Sequence, residues 1–156
     1  MDGRDYFFLS EAQFDEWVAN GLFLEWAEYS GHRYGTPKEA VYELLAAGAD
    51  VVLEIEIEGA RQVLDECPRA VMVFIMPPSL LELEKRLRGR RTDSEEAIQL
   101  RLQRAAEEIE VVGAGVWPGR RQFDYVILND SVERASKELI RVIEQAREEN
   151  EQTHSR

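Results

Sequence analysis

Five basic residues, Lys85, Arg86, Arg88, Arg90 and Arg91, crowd between Glu84 and Thr92 in a 156-residue chain with 31 Asp and Glu against 19 Lys and Arg. Arginine forks match phosphate oxygens, so the cluster suits an anionic partner. The same residues suit a solvated helix end, where cations complement the dipole. The stretch alone leaves both readings open. Glu54 and Glu56 give a second signal: they alternate on one face of a β-branched run, near its C-terminal end, where open parallel sheets place their ligands. The lone cysteine, Cys67, excludes an internal disulfide framework and a multi-cysteine metal site. The two histidines, His32 and His154, lie too far apart in sequence to suggest a metal cluster. A net charge of -12 argues against general nucleic-acid binding, which needs a positive face.

The elements that must hold these groups read as one α/β domain. Residues 5–9 suggest a short strand. Ser10-Glu11-Ala12-Gln13 is a capping box opening a helix that stops at Asn20-Gly21. Residues 22–29 read as a strand, 30–33 as a turn and Tyr34-Gly35 as the returning strand. Thr36-Pro37-Lys38-Glu39 suggests a second capping box with Thr36 as N-cap, and its helix should stop at Gly48. Residues 51–57 are a β-branched run that suggests a strand, 70–76 is a nearly uninterrupted apolar run suited to a strand buried on both faces, and 123–129 is another of that type. Helices are expected from Gly59 to Glu66, from Pro77-Pro78-Ser79 through Arg88, from Ser94 to about residue 111, and from Ser131 to about residue 148. The tail 150–156 should fray. Strand–helix alternation predicts a parallel sheet. No apolar run is long enough to span a bilayer, and no charged-then-apolar leader precedes the first strand, so a cytoplasmic location and no membrane partner are expected.

Several short stretches, in order, carry a resemblance. They are Gly3-Arg4-Asp5-Tyr6-Phe7-Phe8, Phe23-Leu24-Glu25-Trp26-Ala27-Glu28-Tyr29, Tyr34-Gly35-Thr36-Pro37, Leu53-Glu54-Ile55-Glu56-Ile57-Glu58-Gly59-Ala60, Pro77-Pro78-Ser79, Arg86-Leu87-Arg88-Gly89-Arg90-Arg91-Thr92-Asp93-Ser94 and Val126-Ile127-Leu128-Asn129-Asp130. Each is weak alone; together they cover almost the whole chain. The sequence resembles the guanylate kinases, which transfer the ATP γ-phosphoryl to GMP with Mg2+. The resemblance implies a P-loop, nucleoside-monophosphate-kinase-like α/β fold. It would have a GMP-binding lobe over about residues 1–45, a core over 46–82 and 122–149, and an arginine lid over 83–111.

The resemblance also implies roles. Glu25 is the carboxylate that takes guanine N1–H and N2–H2, and Thr36 the hydroxyl that gives to O6. Tyr6 and Tyr34 match tyrosines that contact the GMP phosphate, and core packing is their plainer alternative. Glu54 and Glu56 fall on the nucleotide side, with Glu56 standing where aspartate is usual. Arg86, Arg90 and Arg101 match lid arginines that stabilise charge during phosphoryl transfer. Arg88 is expected to be solvated, and Arg91 takes a position usually held by glycine. Asn129 matches a residue near the adenine of ATP. Residues 113–121, with Trp117, look like an insertion.

No G-x-x-x-x-G-K-[ST] phosphate loop occurs in these residues, so the chain resembles a guanylate kinase without its first strand and P-loop. Two expectations follow: little or no phosphoryl transfer by this chain, and exposed sheet edges that favour a homo-oligomer. A binding or scaffold module that has lost catalysis is the alternative to an enzyme of GMP, dGMP and ATP.

Overall fold

The structure is a computed structural model that describes residues 7–29, 31–90, 94–113 and 123–154. The chain divides into two compact units, Met1–Ala70 and Val71–Arg156. The first contains α1 (Glu11–Ala19), β1 (Phe23–Tyr29), β2 (His32–Pro37), α2 (Lys38–Ala46) and α3 (Ile57–Glu66). The second contains β3 (Val73–Met76), α4 (Leu80–Arg90), α5 (Glu95–Gly113), β4 (Tyr125–Leu128) and α6 (Val132–His154).

In the first unit the expected capping box at Ser10 forms. The Gln13 backbone N–H donates to the Ser10 hydroxyl, and the Ser10 backbone N–H donates to the Gln13 side chain. The α1 face then packs on the hairpin through aromatic rings: Phe14 lies 4.6 Å from Phe23 and 6.0 Å, edge-on, from Trp26. Arg33 closes this face, its guanidinium 4.6 Å over the Phe14 ring while it donates to the Asp15 carboxylate and the Glu11 carbonyl. β1 and β2 pair antiparallel with Glu25 opposite Thr36 and Trp26 opposite Gly35. Gly35 has no room for a side chain, since a Cβ there would stand 2.7 Å from the Phe23 ring and 3.1 Å from the Glu25 carbonyl oxygen.

Helix α3 docks on β1 by an unusual device. The Trp26 backbone N–H donates to Gln62 Oε1 at 3.1 Å, and Gln62 Nε2 donates back to the Trp26 carbonyl at 2.9 Å. One side-chain amide thus does what a neighbouring strand would do. Ala60, Val63 and Leu64 bury the apolar face of this helix.

In the second unit β3 and β4 pair parallel, as strand–helix alternation predicts, with Phe74 beside Val126 and Ile75 beside Ile127. α6 covers one side, where Ile127, Ala135 and Val142 are buried with Val73, Tyr125 and Leu139 against them. Serine hydroxyls accept from the first turns of α4, α5 and α6, from Glu82 to Ser79, Ala97 to Ser94 and Arg134 to Ser131.

Five expectations need correction. Residues 51–56 form no strand, although their exposure still alternates, with Val52, Glu54 and Glu56 outside and Leu53 and Ile55 half-buried. A β pattern becomes a strand only when a ladder partner is present, and no strand pairs with them among the described residues. Phe7, Phe8 and Leu9 likewise form none. β3 and β4 are not buried on both faces: Ile75 and Val126 are over two-fifths exposed, because described helices cover only part of this two-stranded sheet. Thr36 is not an N-cap. Pro37 takes that position, and its ring has no polar atom to cap with, while the Thr36 hydroxyl donates to Glu25. Finally, α6 runs on to His154, because its Glu- and Gln-rich end contains no helix breaker.

Gly35→Ala is expected to lower unfolding stability by about 1–3 kcal/mol, since the backbone carbonyl of Glu25 cannot move aside as a side chain would. Urea denaturation measures it, and an unchanged midpoint would contradict the close approach.

Candidate functional site: a buried carboxylate and an arginine-bearing helix pair

Among the described residues Glu25 is the only buried charged or polar side chain, 7 % exposed. Its neighbours in sequence explain why. β1 reads Phe23-Leu24-Glu25-Trp26, and a register shift between Phe23 and Glu25 lets Phe23, Leu24 and Glu25 all turn away from solvent. A buried carboxylate is costly unless hydrogen-bonded. Thr36, directly across the ladder, supplies the bond: Oγ1 donates to Glu25 Oε1 at 2.5 Å. The second oxygen, Oε2, lies against the first turn of α3, 2.7 Å from where a Cβ on Gly59 would stand. An anion is favoured at that end of a helix.

The other expected nucleotide residues of the first unit are more open. Tyr34 is half-exposed on β2, two residues before Thr36. Glu54 and Glu56 are exposed, Glu56 being the N-cap of α3. Tyr6 lies outside the described residues, as do Arg91 and Trp117.

In the second unit Arg86 is held at the end of β4. Nη1 donates to the Asn129 carbonyl at 2.9 Å, Nη2 to the Asp130 carbonyl at 3.5 Å, and Nε to Glu82 at 3.0 Å. Asn129 sits on the same strand end, with its side-chain Oδ1 buried and without a hydrogen bond. Arg90 is exposed in the last turn of α4, and Arg101 is half-buried on α5. The structure therefore brings Arg86 and Asn129 together.

Sequence reading missed three residues. Gly59 and Gln62 shape the surroundings of Glu25; α3 starts at Ile57, two residues before the expected Gly59, which sets Gly59 inside the first turn, where alanine is the better former. Arg88, expected to be solvated, ties two helices. It donates to Glu84 on its own helix and with both Nη atoms to the Glu95 carboxylate at the start of α5. The Arg88 bond, then that of Gln99, pulls the Glu95 carboxyl down to about 2, and Arg88 is raised by the same contact.

Among the described residues no group of three His, Cys, Asp or Glu side chains is placed to hold a metal ion, and no helix is long and apolar enough to cross a membrane.

The paired strands, antiparallel in the first unit and parallel in the second, and the helices between them make an α/β protein, whose first unit holds a buried acid paired with a hydroxyl and whose second holds arginines on two helices. Comparison with known proteins narrows this class. The guanylate kinase family model matches residues 1–146. The chain is 48% identical over 143 residues to a guanylate kinase of Rubrobacter xylanophilus, covering 92% of this chain and 71% of that protein. It is 52% identical over 139 residues to one from Synechococcus sp. strain CC9311, covering 89% and 69%. The crystal structure of guanylate kinase from Anaplasma phagocytophilum superimposes with a TM-score of 0.68 at 29% identity, over 93% of this chain and 66% of that one. The chain spans 65 to 71% of the length of these and a Streptococcus thermophilus relative. It belongs to the guanylate kinase family.

Two outcomes are expected. Thr36→Val should destabilise the fold by about 1–3 kcal/mol, because the buried Glu25 carboxylate loses its donor while the side-chain volume is kept; chemical denaturation reads it. The Glu95 carboxyl is depressed on folding, so the Arg88 tie contributes fully above the ordinary carboxylate range and is lost as pH falls through about 2. Arg88→Ala should return the Glu95 midpoint to the ordinary range in a carboxyl-carbon NMR titration.

Proposed function

We propose that this protein binds GMP through Glu25 and Thr36 and serves the reaction ATP + GMP to ADP + GDP, with Mg2+ carried by ATP. The observation that carries the reading is the buried Glu25 carboxylate with the Thr36 hydroxyl 2.5 Å away, in a chain of the guanylate kinase family. Guanine offers two adjacent donors, N1–H and N2–H2, and one acceptor, O6. The carboxylate accepts both donors. The Thr36 O–H, which donates to Glu25 in the absence of a base, turns to O6 as the base enters, and the base N–H groups replace it on the carboxylate. Adenine presents an acceptor at N1 and leaves the acid unpartnered, so it is rejected.

The remaining roles complete the proposal. Residues 1–45 act as the GMP lobe, with Tyr34 and Tyr6 toward the GMP phosphate and Glu54 and Glu56 on the nucleotide side. Residues 83–111 act as the lid. Arg90, exposed, and Arg101 approach the transferred phosphoryl group, whose charge they stabilise. Arg86 does so after exchanging the carbonyls of Asn129 and Asp130 for phosphate oxygens. The buried Oδ1 of Asn129 suits the adenine amino group as donor. The reading places the protein in the cytoplasm, with its nucleotide substrates.

Calorimetry with GMP, dGMP and AMP tests base recognition, and a coupled assay of ADP formation tests transfer. GMP and dGMP should bind well ahead of AMP, and Glu25→Gln should weaken GMP by about 100-fold or more, since its amide turns a donor toward a donor. Equal affinity for GMP and AMP would refute the reading. These 156 residues, which hold no phosphate loop, should bind GMP with little or no ADP formation, and ordinary turnover would overturn that expectation.

A further inference from the structure

Glu25 reads guanine only if both carboxylate oxygens stand in the plane of the incoming base edge. β1 fixes its backbone, and before a base enters Thr36 holds Oε1. The position of Oε2 depends on a third element, the first turn of α3.

Gly59 lies in that turn, buried, at an ordinary helical backbone angle, so nothing in its conformation asks for glycine. Alanine is the better helix former at such a position. What asks for glycine is space. A Cβ at residue 59 would meet Glu25 Oε2 at 2.7 Å and Cδ at 3.4 Å, with Ile55 Cβ also at 3.4 Å. Real carbon–oxygen contacts are not that short, so one partner must give way. The helix cannot, because Gln62, one turn on, fastens it to both backbone groups of Trp26, the residue next to Glu25. The carboxylate can, because it is the far end of a flexible side chain.

We propose that Gly59 is a positioning residue for guanine recognition: its missing side chain, held at fixed distance by the Gln62 amide, sets where Glu25 Oε2 stands and hence how well the site selects guanine. The inference rests on the reading of Glu25 given above and adds the element that aims it. Its signature is a separation of two properties that ordinary packing residues lose together. Gly59→Ala should keep or raise the melting temperature, since only a mobile carboxylate is displaced and the helix gains a better former. The same change should weaken GMP by about tenfold, as one charge-assisted hydrogen bond loses its geometry, and narrow the preference over AMP.

The experiment compares the unaltered chain, Gly59→Ala, Glu25→Asp and the double variant by calorimetry with GMP and AMP, alongside thermal melts. Aspartate is one methylene shorter and retreats from residue 59. The losses should therefore be non-additive, with the double variant binding GMP no worse than the weaker single one. An unaltered chain that does not prefer GMP sinks the reading of Glu25 and this inference with it. With that preference intact, any of three results overturns the inference alone. They are unchanged GMP affinity in Gly59→Ala, a fall in melting temperature that parallels the loss of binding, or strictly additive losses.

Discussion

The first unit is organised around one hydrogen bond, from Thr36 to the buried Glu25. An unpaired carboxylate in that position would cost more than a small unit can absorb, so the partner must be present before any ligand arrives. That requirement fixes the register of the hairpin, because Thr36 reaches Glu25 only when the two stand opposite each other on the ladder. A slip by one residue would turn the acid outward and the apolar side chains of β1 with it. The pair is therefore satisfied without a ligand.

The helix starts fall into two groups. α1, α4, α5 and α6 each begin beside a serine whose hydroxyl accepts from the first turn. α2 and α3 have no side-chain cap. These two begin beside the acid: α2 directly follows Thr36, and the first turn of α3 carries Gly59. Thr36 could have capped α2 by its type and place. A cap uses the hydroxyl oxygen as acceptor, which donation to Glu25 leaves open; α2 instead takes Pro37 as its N-cap, whose ring has no polar atom to offer.

Much of this was legible in the sequence, and the unread part has a common cause. Serine caps, terminal glycines and the hairpin turn are local signals, and they placed α1, β1, β2, α4, α5 and the start of α6 to within a few residues. The run 51–56 shows the limit. Its alternation of inside and outside was read correctly, yet strand formation depends on a partner that no local pattern reveals. Family likeness pointed to Glu25 and Thr36 as a pair. It did not point to Gln62, whose role depends on a backbone 36 residues away, nor to the link from Arg88 to Glu95, whose spacing of seven spans a break between helices. The resemblance led to Arg86 as a phosphate ligand, whereas the structure adds that its guanidinium already bridges two main-chain carbonyls at a strand end.

The Gln62 clasp on Trp26 has a consequence for behaviour in concentrated solution. A two-stranded hairpin has two raw borders, each a template on which a foreign chain can lay down another strand. On β1 the middle of that border is already spoken for, its N–H and C=O both engaged by a side chain that cannot propagate a ladder. The glutamine thus works as a stopper against runaway sheet growth as well as a fastener for the helix.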